Sequence, residues 1–468
     1  MPSMDADVVV LGGGLAGLSA ALELSAAGKR VVLFERERDP GGLARSFEKD
    51  GFTCDLGPHR LLVDEPEAER LSEIIGKPLR RLDRRSRIYL EGRFFDYPLR
   101  VGNAIFSMPP LTTARILRDY AIARAKGLLR PSEDRNFEQW VSSRFGRTLY
   151  RIFFEQYTEK AWGIPCREIS ADWAAQRISL LNLWDAVWQA IRPGGSSRRT
   201  YASSFWYPVR GGIGELSRAM ALEIERHGGK VVLGARVDSI EMDGDHVGWV
   251  RVADRRYAAR HVISTVPITD LIAMTKPSPP DAVRSSAQAL EFRAIVFIYL
   301  FLDRPPLARD HWIYLPEQRF IANRITEPAN FGPENVPTGK TAVCAEITCA
   351  AGDKTWNTTD DVLAEKVMED LGRLGWTDVR PSQVIGVAAR RVREAYPVYR
   401  VGYRQKLGSV LGWLEQVPNL LCIGRCALFR YNNMDHSIEM GRRAAAVLLQ
   451  DKPRRWAAEV ATGSNYFG

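Results

Sequence analysis

Gly12, Gly14 and Gly17, in the run Gly12-Gly13-Gly14-Leu15-Ala16-Gly17, have the spacing that lets bare backbone approach a pyrophosphate at a helix N-terminus. The first N–H groups of such a helix have no partners within it, and they favour negative charge. Glu35 stands 18 residues beyond Gly17. A carboxylate there can accept both hydroxyls of an adenosine ribose, which favours an unphosphorylated ribose. Glycines and acid together predict a bound dinucleotide and leave its identity open. A glycine turn without a ligand is the alternative, and the acid weighs against it.

These residues must be held by a strand, a turn, a helix and a second strand. Val8-Val9-Val10-Leu11 is a short apolar run of strand type, residues 18–27 have helical composition, and Val31-Val32-Leu33-Phe34 is a second strand closed by Glu35. A unit of this kind joins parallel strands. A second glycine pair, Gly41-Gly42, follows with Arg45 and Ser46, and then the segment Phe52-Thr53-Cys54-Asp55-Leu56-Gly57-Pro58-His59.

The chain has 468 residues, with 65 Lys and Arg against 56 Asp and Glu, a net charge of +9. With 45% hydrophobic and 26% charged residues it has the make-up of a folded globular protein, and no low-complexity tract points to disorder. The six cysteines, 54, 166, 344, 349, 422 and 426, form no CxxC pair and do not stand near histidine at zinc spacing, so neither a metal nor a disulfide framework is expected. Arginine outnumbers lysine 53 to 12, but no zinc finger, RNP-type sequence or aromatic-basic stripe accompanies it, which argues against nucleic acid. A small anionic ligand fits the charge better, or a membrane surface. The apolar stretch from residue 8 to 24 is broken by four glycines, and the next longest, 294–302, has nine residues where a spanning helix needs about 20. The sequence predicts a cytoplasmic protein.

Residues 101–191 read as mostly helical. Residues 115–130 are apolar and basic and could touch anionic lipid, a solvated helix face being the plainer reading. A helix capped by Asp172 is expected to carry Trp173, Trp184 and Trp188 on one face. Six of the twelve tryptophans fall between residues 140 and 206, either as core or as the wall of a ring-binding site. From Tyr207-Pro208-Val209-Arg210-Gly211-Gly212 onward the pattern turns to a helix over 213–227. Short strands then run to Val262-Ile263-Ser264-Thr265-Val266-Pro267, followed by a β-rich stretch at 294–302, 312–314 and 341–347. Leu420-Leu421-Cys422-Ile423-Gly424-Arg425 is a last strand and turn. The helix after Asn432-Asn433-Met434-Asp435 could return this segment to the sheet of residues 8–35 and make the dinucleotide domain discontinuous.

The glycine fingerprint with Glu35, the segment Gly41-Gly42-Leu43-Ala44-Arg45, the strand 262–267 and the terminal Ile423-Gly424-Arg425 with its helix resemble the flavoprotein superfamily of amine oxidases, protoporphyrinogen oxidases, phytoene desaturases and UDP-galactopyranose mutases. The resemblance covers nearly the whole chain. It implies FAD and an α/β fold with a discontinuous Rossmann-type FAD-binding domain (1–100, 205–285 and 415–468). A helical insertion (101–204) and a mixed β-sheet region (286–414) would form the substrate domain. A narrower likeness to the mutases rests on Gly57-Pro58-His59, Tyr157-Thr158-Glu159-Lys160-Ala161-Trp162-Gly163, residues 173–177, Trp206-Tyr207-Pro208, Trp312-Ile313-Tyr314 and Arg425 through Tyr431 to Asp435-His436-Ser437.

The same resemblance implies which residues hold the cofactor: besides Gly12, Gly14, Gly17 and Glu35, these are Leu15, Ala16 and Arg36, then Gly42, Leu43 and Ala44. His59 would lie beside the flavin ring, with Val237, Gly424 and Arg425 along the cavity. Asn433, Met434, Asp435 and Ser437 would bring a helix N-terminus to the flavin edge, the Asp435 carboxylate capping that helix and His436 belonging to the cap. Tyr157, Trp162, Trp173, Tyr207, Tyr314, Arg324 and Tyr396 would line the substrate site. His59, Arg425, Tyr431 and Arg177 are the catalytic candidates. The arginines and the tyrosine hydroxyl suit a leaving diphosphate.

By that likeness the enzyme would act on a nucleotide-activated sugar through N5 of reduced flavin, with no net redox change. The alternative is an oxidoreductase that removes hydride from an amine, a porphyrinogen or a polyene; a scaffold that binds flavin without catalysis ranks third. An aromatic cage without phosphate-gripping arginines would favour oxidation, an arginine–tyrosine cluster the sugar nucleotide. Arg425 could equally pair with FAD or a neighbouring carboxylate. The mutases' second arginine would be Arg304, here followed by Pro305-Pro306; Cys426-Ala427 and Asn432-Asn433 also depart from the mutase pattern.

Overall fold

The computed structural model describes residues 5–97, 108–129, 133–177, 203–450, 452–457 and 459. The expectations for Trp184 and Trp188 lie outside these residues, as does the Arg177 side chain.

The fold is α/β, with two large sheets. In the first, Ala6–Leu11 lies between Val31–Phe34 and Arg255–Ser264, parallel to both, with Val8 opposite Val31 and Val10 opposite Ile263. Lys230–Val232 extends this sheet beside Val31–Phe34, and Leu420–Cys422 pairs in parallel with Arg255–Ser264. Strands flanked by parallel neighbours are buried on both faces, which explains their unbroken apolar runs. Val237–Asp243, His246–Val252 and Arg255–Ser264 form an antiparallel meander on the same sheet.

The helix Leu15–Ala26 leaves the glycine turn, and the terminal helix Met434–Gln450 packs directly on it. Gly441 makes this crossing close: a Cβ there would sit 2.4 Å from the Ala16 carbonyl oxygen. The Ser19 hydroxyl donates to the Ile438 carbonyl at 2.8 Å. The C-terminal strand and helix thus return to the N-terminal unit, and the dinucleotide-type sheet is discontinuous in sequence.

The second sheet has seven strands, in the order Val384–Pro397, Phe292–Leu302, Thr341–Cys349, Arg324–Thr326, Trp312–Tyr314, Ser86–Leu90 and Arg93–Asp96. It is mixed, because Trp312–Tyr314 runs parallel to Ser86–Leu90 while the other neighbours are antiparallel. Alternation along Phe292–Leu302 sends Val296, Ile298 and Leu300 to one face and Phe297, Tyr299 and Phe301 to the other. The first face is covered by Leu363, Val367 and Leu371 of the helix Asp360–Arg373. Residues 86–96 lie within the span assigned above to the cofactor domain, yet they pair into this second sheet.

A helical region packs largely on itself, with Pro110–Leu129, Phe137–Phe145, Gln156–Trp162 and Ala171–Arg177, and a π-turn at Tyr150–Glu155. Pro110–Leu129 buries Ile116, Tyr120 and Ala123 and leaves Leu111, Leu117 and Ile122 exposed. Among the described residues no helix is long and apolar enough to cross a membrane. Asp172 does not cap its helix. The Ser170 hydroxyl accepts the Asp172 N–H at 3.3 Å, while Asp172, in the first turn, pairs with Arg404.

Candidate functional site

The glycine turn opens onto a cavity of about 590 Å³. Gly12, Gly14, Leu15, Ala16, Glu35 and Arg36 line it, together with Gly42, Leu43, Ala44 and Val237, and with His59, Gly424, Arg425, Asn433, Met434 and Ser437. Gly12 has φ +98°, and a Cβ there would overlap the Thr265 hydroxyl at 2.3 Å, so only glycine makes this turn. Gly17 does not line the cavity; it packs on the Gly12 carbonyl, where a Cβ would sit 2.1 Å from the oxygen.

Glu35 is buried, and its two carboxylate oxygens accept the N–H groups of Gly13 at 2.6 Å and Glu37 at 2.9 Å. Each oxygen keeps a further lone pair for a ribose hydroxyl. Arg36 pairs at 3.2 Å with Glu394, a cavity-lining acid not anticipated from sequence.

The segment leading to His59 is anchored by Asp55. The Asp55 carboxylate accepts the Ser46 hydroxyl at 2.6 Å, the Tyr207 hydroxyl at 2.7 Å and the Ile213 N–H at 3.0 Å. Burial still raises the Asp55 carboxyl to about 6 against these bonds. Tyr207, expected to line the substrate site, is buried and does not line the cavity. It lies in the core against Phe331 and spends its hydroxyl on Asp55, because its strand, Ser204–Pro208, pairs with Leu79–Asp83 and turns that side chain inward.

His59 Nδ1 lies 3.1 Å from the Gly57 carbonyl oxygen. A carbonyl only accepts, so Nδ1 carries the proton and Nε2 is left as an acceptor. Burial, then the positive charges of Arg425 and Arg324, pull its pKa down to about 4 despite that carbonyl. The imidazole is neutral at ordinary pH.

The aromatic residues expected at the substrate site come together. Tyr157 meets Tyr314 edge to face at 5.5 Å, and the Arg324 guanidinium lies 5.6 Å over the Tyr314 ring. Trp162 contacts Trp173 at 4.6 Å and Tyr396 at 5.9 Å; Tyr396 stacks on Tyr431 at 5.5 Å, and Trp173 closes the ring on Tyr431 at 5.3 Å. The hydroxyls of Tyr157 and Tyr396 titrate above the usual tyrosine range, through burial first and neighbouring phenols second, and stay protonated.

The arginines are engaged with the protein. Arg324 makes a two-point ion pair with Glu346, at 2.6 and 2.7 Å. Burial disfavours the Arg324 cation, but the Glu346 carboxylate outweighs it and holds the group charged. Arg425 donates to the Asn432 and Ala395 carbonyls and lies 4.6 Å over the Tyr431 ring; its partners are carbonyls and rings rather than a carboxylate. Arg304 is at the wrong end of its strand. It follows Leu302, opposite Val384, and pairs with Asp378 at 2.8 Å, whereas the site is at the Phe292 end. Arg324 on the neighbouring hairpin takes the wall position instead.

The cap of the terminal helix also differs from expectation. His436 Nδ1 accepts the Asn433 N–H at 3.1 Å, while the buried Asp435 carboxylate lies 3.5 Å from His436 Nε2 and does not line the cavity. Burial raises the Asp435 carboxyl to about 6. Sequence reasoning missed Glu346. Its signal was a lone acid inside the apolar strand Thr341–Cys349, a placement tolerated only with a buried partner.

A buried acid and a glycine turn against a helix N-terminus on one cavity, with a cluster of aromatic rings packed on Arg425 of its lining, define a dinucleotide-binding α/β protein. Residues 15–449 match the model of the flavin containing amine oxidoreductases, and the chain belongs to that family. Its cofactor is therefore FAD, and the cavity fits it: the Glu35 end offers carboxylate acceptors and the turn offers bare backbone.

The chain is 25% identical to the phytoene dehydrogenase of Streptomyces griseus over 424 residues, which cover 79% of this chain and 80% of that protein. It is 25% identical to the coproporphyrinogen III oxidase of Propionibacterium freudenreichii subsp. freudenreichii over 467 residues, 89% of this chain and 86% of that one. Among solved structures, reduced UDP-galactopyranose mutase superposes with a TM-score of 0.84 at 25% identity, over 99% of this chain and 100% of the other.

Proposed function

We propose that the protein is an FAD-dependent oxidoreductase that removes hydride from a small organic substrate held against the aromatic chamber. The observation that carries this reading is that Arg324, one of the two wall arginines, is neutralised by Glu346 at two points, while the other, Arg425, is held by the Asn432 and Ala395 carbonyls and lies over the Tyr431 ring. The rest of this wall is aromatic, which suits a conjugated ring better than a diphosphate. A porphyrinogen is the first substrate class to test, in line with a coproporphyrinogen III oxidase relative that covers 89% of this chain.

Bound FAD supplies the hydride acceptor. The protein's own part is to exclude water with Tyr157, Trp162, Trp173, Tyr314, Tyr396 and Tyr431 and to offer a neutral His59 whose Nε2 accepts a substrate N–H or O–H. The N-terminus of Met434–Gln450 favours negative charge developing at the adjacent end of the cavity. In this reading the first sheet is the cofactor domain and the second sheet with the helical region is the substrate domain. The pairing of residues 86–96 with Trp312–Tyr314 supports moving them to the substrate side.

The second reading is a mutase acting on a sugar nucleotide. The full-length likeness to reduced UDP-galactopyranose mutase favours it, as does the presence of Arg324, Arg425 and Tyr431 on one wall, with Arg177 a further candidate. Anaerobic mixing separates the two. Bleaching of oxidised FAD by coproporphyrinogen III, a polyene or an amine supports the oxidoreductase. Isomerisation of UDP-galactose by dithionite-reduced protein, with no bleaching by that panel, overturns it.

A further inference from the structure

A second cavity, of about 770 Å³, lies on the other side of the helix Gln156–Trp162. Tyr157 of that helix meets Tyr314 in the aromatic chamber, whereas Glu159, Lys160 and Gly163 line this second space. Arg324 and Glu346 pair beside Tyr314, and their chain neighbours Asn323, Ile347 and Thr348 line the second cavity.

Five cations line the second cavity, Lys160, Arg293, Arg319, Lys366 and Arg373, against the acids Glu159 and Glu369. Arg319 is paired with Glu317, and Arg373 with Glu369 and Asp370. Lys160 and Arg293 are held differently, by carbonyls alone. Lys160 Nζ donates to Ala322, Leu315 and Glu317 carbonyls at 2.7, 2.9 and 3.1 Å, and Arg293 donates to Ala161 and Thr348 carbonyls at 3.1 and 3.4 Å. Arg293 lies flat over Gly163, where a Cβ would come within 2.5 Å of the guanidinium, and it keeps N–H groups beyond these two bonds. Burial lowers the proton affinity of both groups, Lys160 to about 7 against the more distant Asp370 and Glu317, and Arg293 against Asp353.

A second, independent observation points into the same space. Asn323 is only 4% exposed; its Oδ1 accepts the Thr348 N–H and hydroxyl, both at 2.9 Å, while its Nδ2 is buried with no partner. A buried donor of this kind costs stability until something accepts from it. We propose that this cavity is a binding site for a compact phosphate-bearing anion, which accepts from the Arg293 guanidinium and Asn323 Nδ2 in the charge field of Lys160 and Lys366, separately from the flavin site. The bound anion would also steady residues 315–322, the loop that Lys160 pins and that joins the strands bearing Tyr314 and Arg324.

The test is calorimetric titration of the FAD-bound protein with inorganic pyrophosphate in amine buffer, and it is independent of the flavin chemistry proposed above. Saturable binding is expected, weakened about tenfold or more by Arg293→Met and unchanged by Arg226→Met at the exposed end of the helix Gly214–Arg226. Should Arg293→Met lose its fold or its FAD, charge reversal at the exposed rim, Lys366→Glu, carries the same expectation of weaker binding. No saturation up to about 10 mM pyrophosphate overturns the proposal. So does binding that Arg226→Met weakens equally, or that Arg293→Met and Lys366→Glu leave unchanged.

Discussion

Arg324 and Glu346 face each other across adjacent antiparallel strands and bond at two points, 2.6 and 2.7 Å, beside the Tyr314 ring. Their side chains are 19% and 5% exposed, so the pair is largely desolvated, and neither charge can be removed alone without leaving the other stranded. The Glu346 carboxylate also lies beneath Gly57, where an added Cβ would come within 3.2 Å of it, so the pair supports the turn that carries His59.

Glu346→Gln will therefore lower stability by about 3–5 kcal/mol in urea unfolding, because it leaves a buried guanidinium without its counter-charge. The freed Arg324 should in turn raise the affinity of the chamber for a nucleoside diphosphate, read by titration with UDP. Unchanged UDP affinity in a folded variant would show that Glu346 does not set the charge preference of this wall.

His59 should make stability fall as pH falls. Its folded pKa is near 4 against an ordinary 6.5, so between those values the unfolded chain binds more protons and stability rises with pH; His311, also pulled down to about 4 by burial, acts in the same direction. Asp55 and Asp435, raised to about 6, act in the opposite direction. The difference between wild type and His59→Gln isolates the first effect. The urea midpoint of the variant should drop less than that of wild type between pH 6.5 and pH 4.5.

Glu35→Ala removes the acceptor of the Gly13 and Glu37 N–H groups together with the ribose partner. Hydrogen bonds to a charged group of this kind contribute about 1.5–3 kcal/mol, so FAD should dissociate about 10- to 100-fold more readily, measured as flavin retained after dialysis.

Tyr207→Phe leaves Asp55 with its Ser46 and Ile213 donors and should cost about 1–2 kcal/mol of stability, with no change in substrate KM. A raised KM at unchanged stability would return Tyr207 to the substrate wall.

The cofactor half of the molecule was legible in the sequence because its signals are local. Gly12, Gly14, Gly17 and Glu35 sit within a single βαβ unit, and backbone geometry at a turn permits few residues. The aromatic chamber was legible only through resemblance: Tyr157, Tyr314, Tyr396 and Tyr431 lie on four separate elements, and nothing in their spacing brings them together. Tertiary structure alone decided that Tyr207 turns inward to Asp55, that His436 rather than Asp435 completes the helix cap, and that Arg304 lies at the far end of its strand. It also decided that Arg324 meets Glu346. Strand register sets which of two neighbouring side chains shares a face with a partner 22 residues away, and register comes from the packing of the whole sheet.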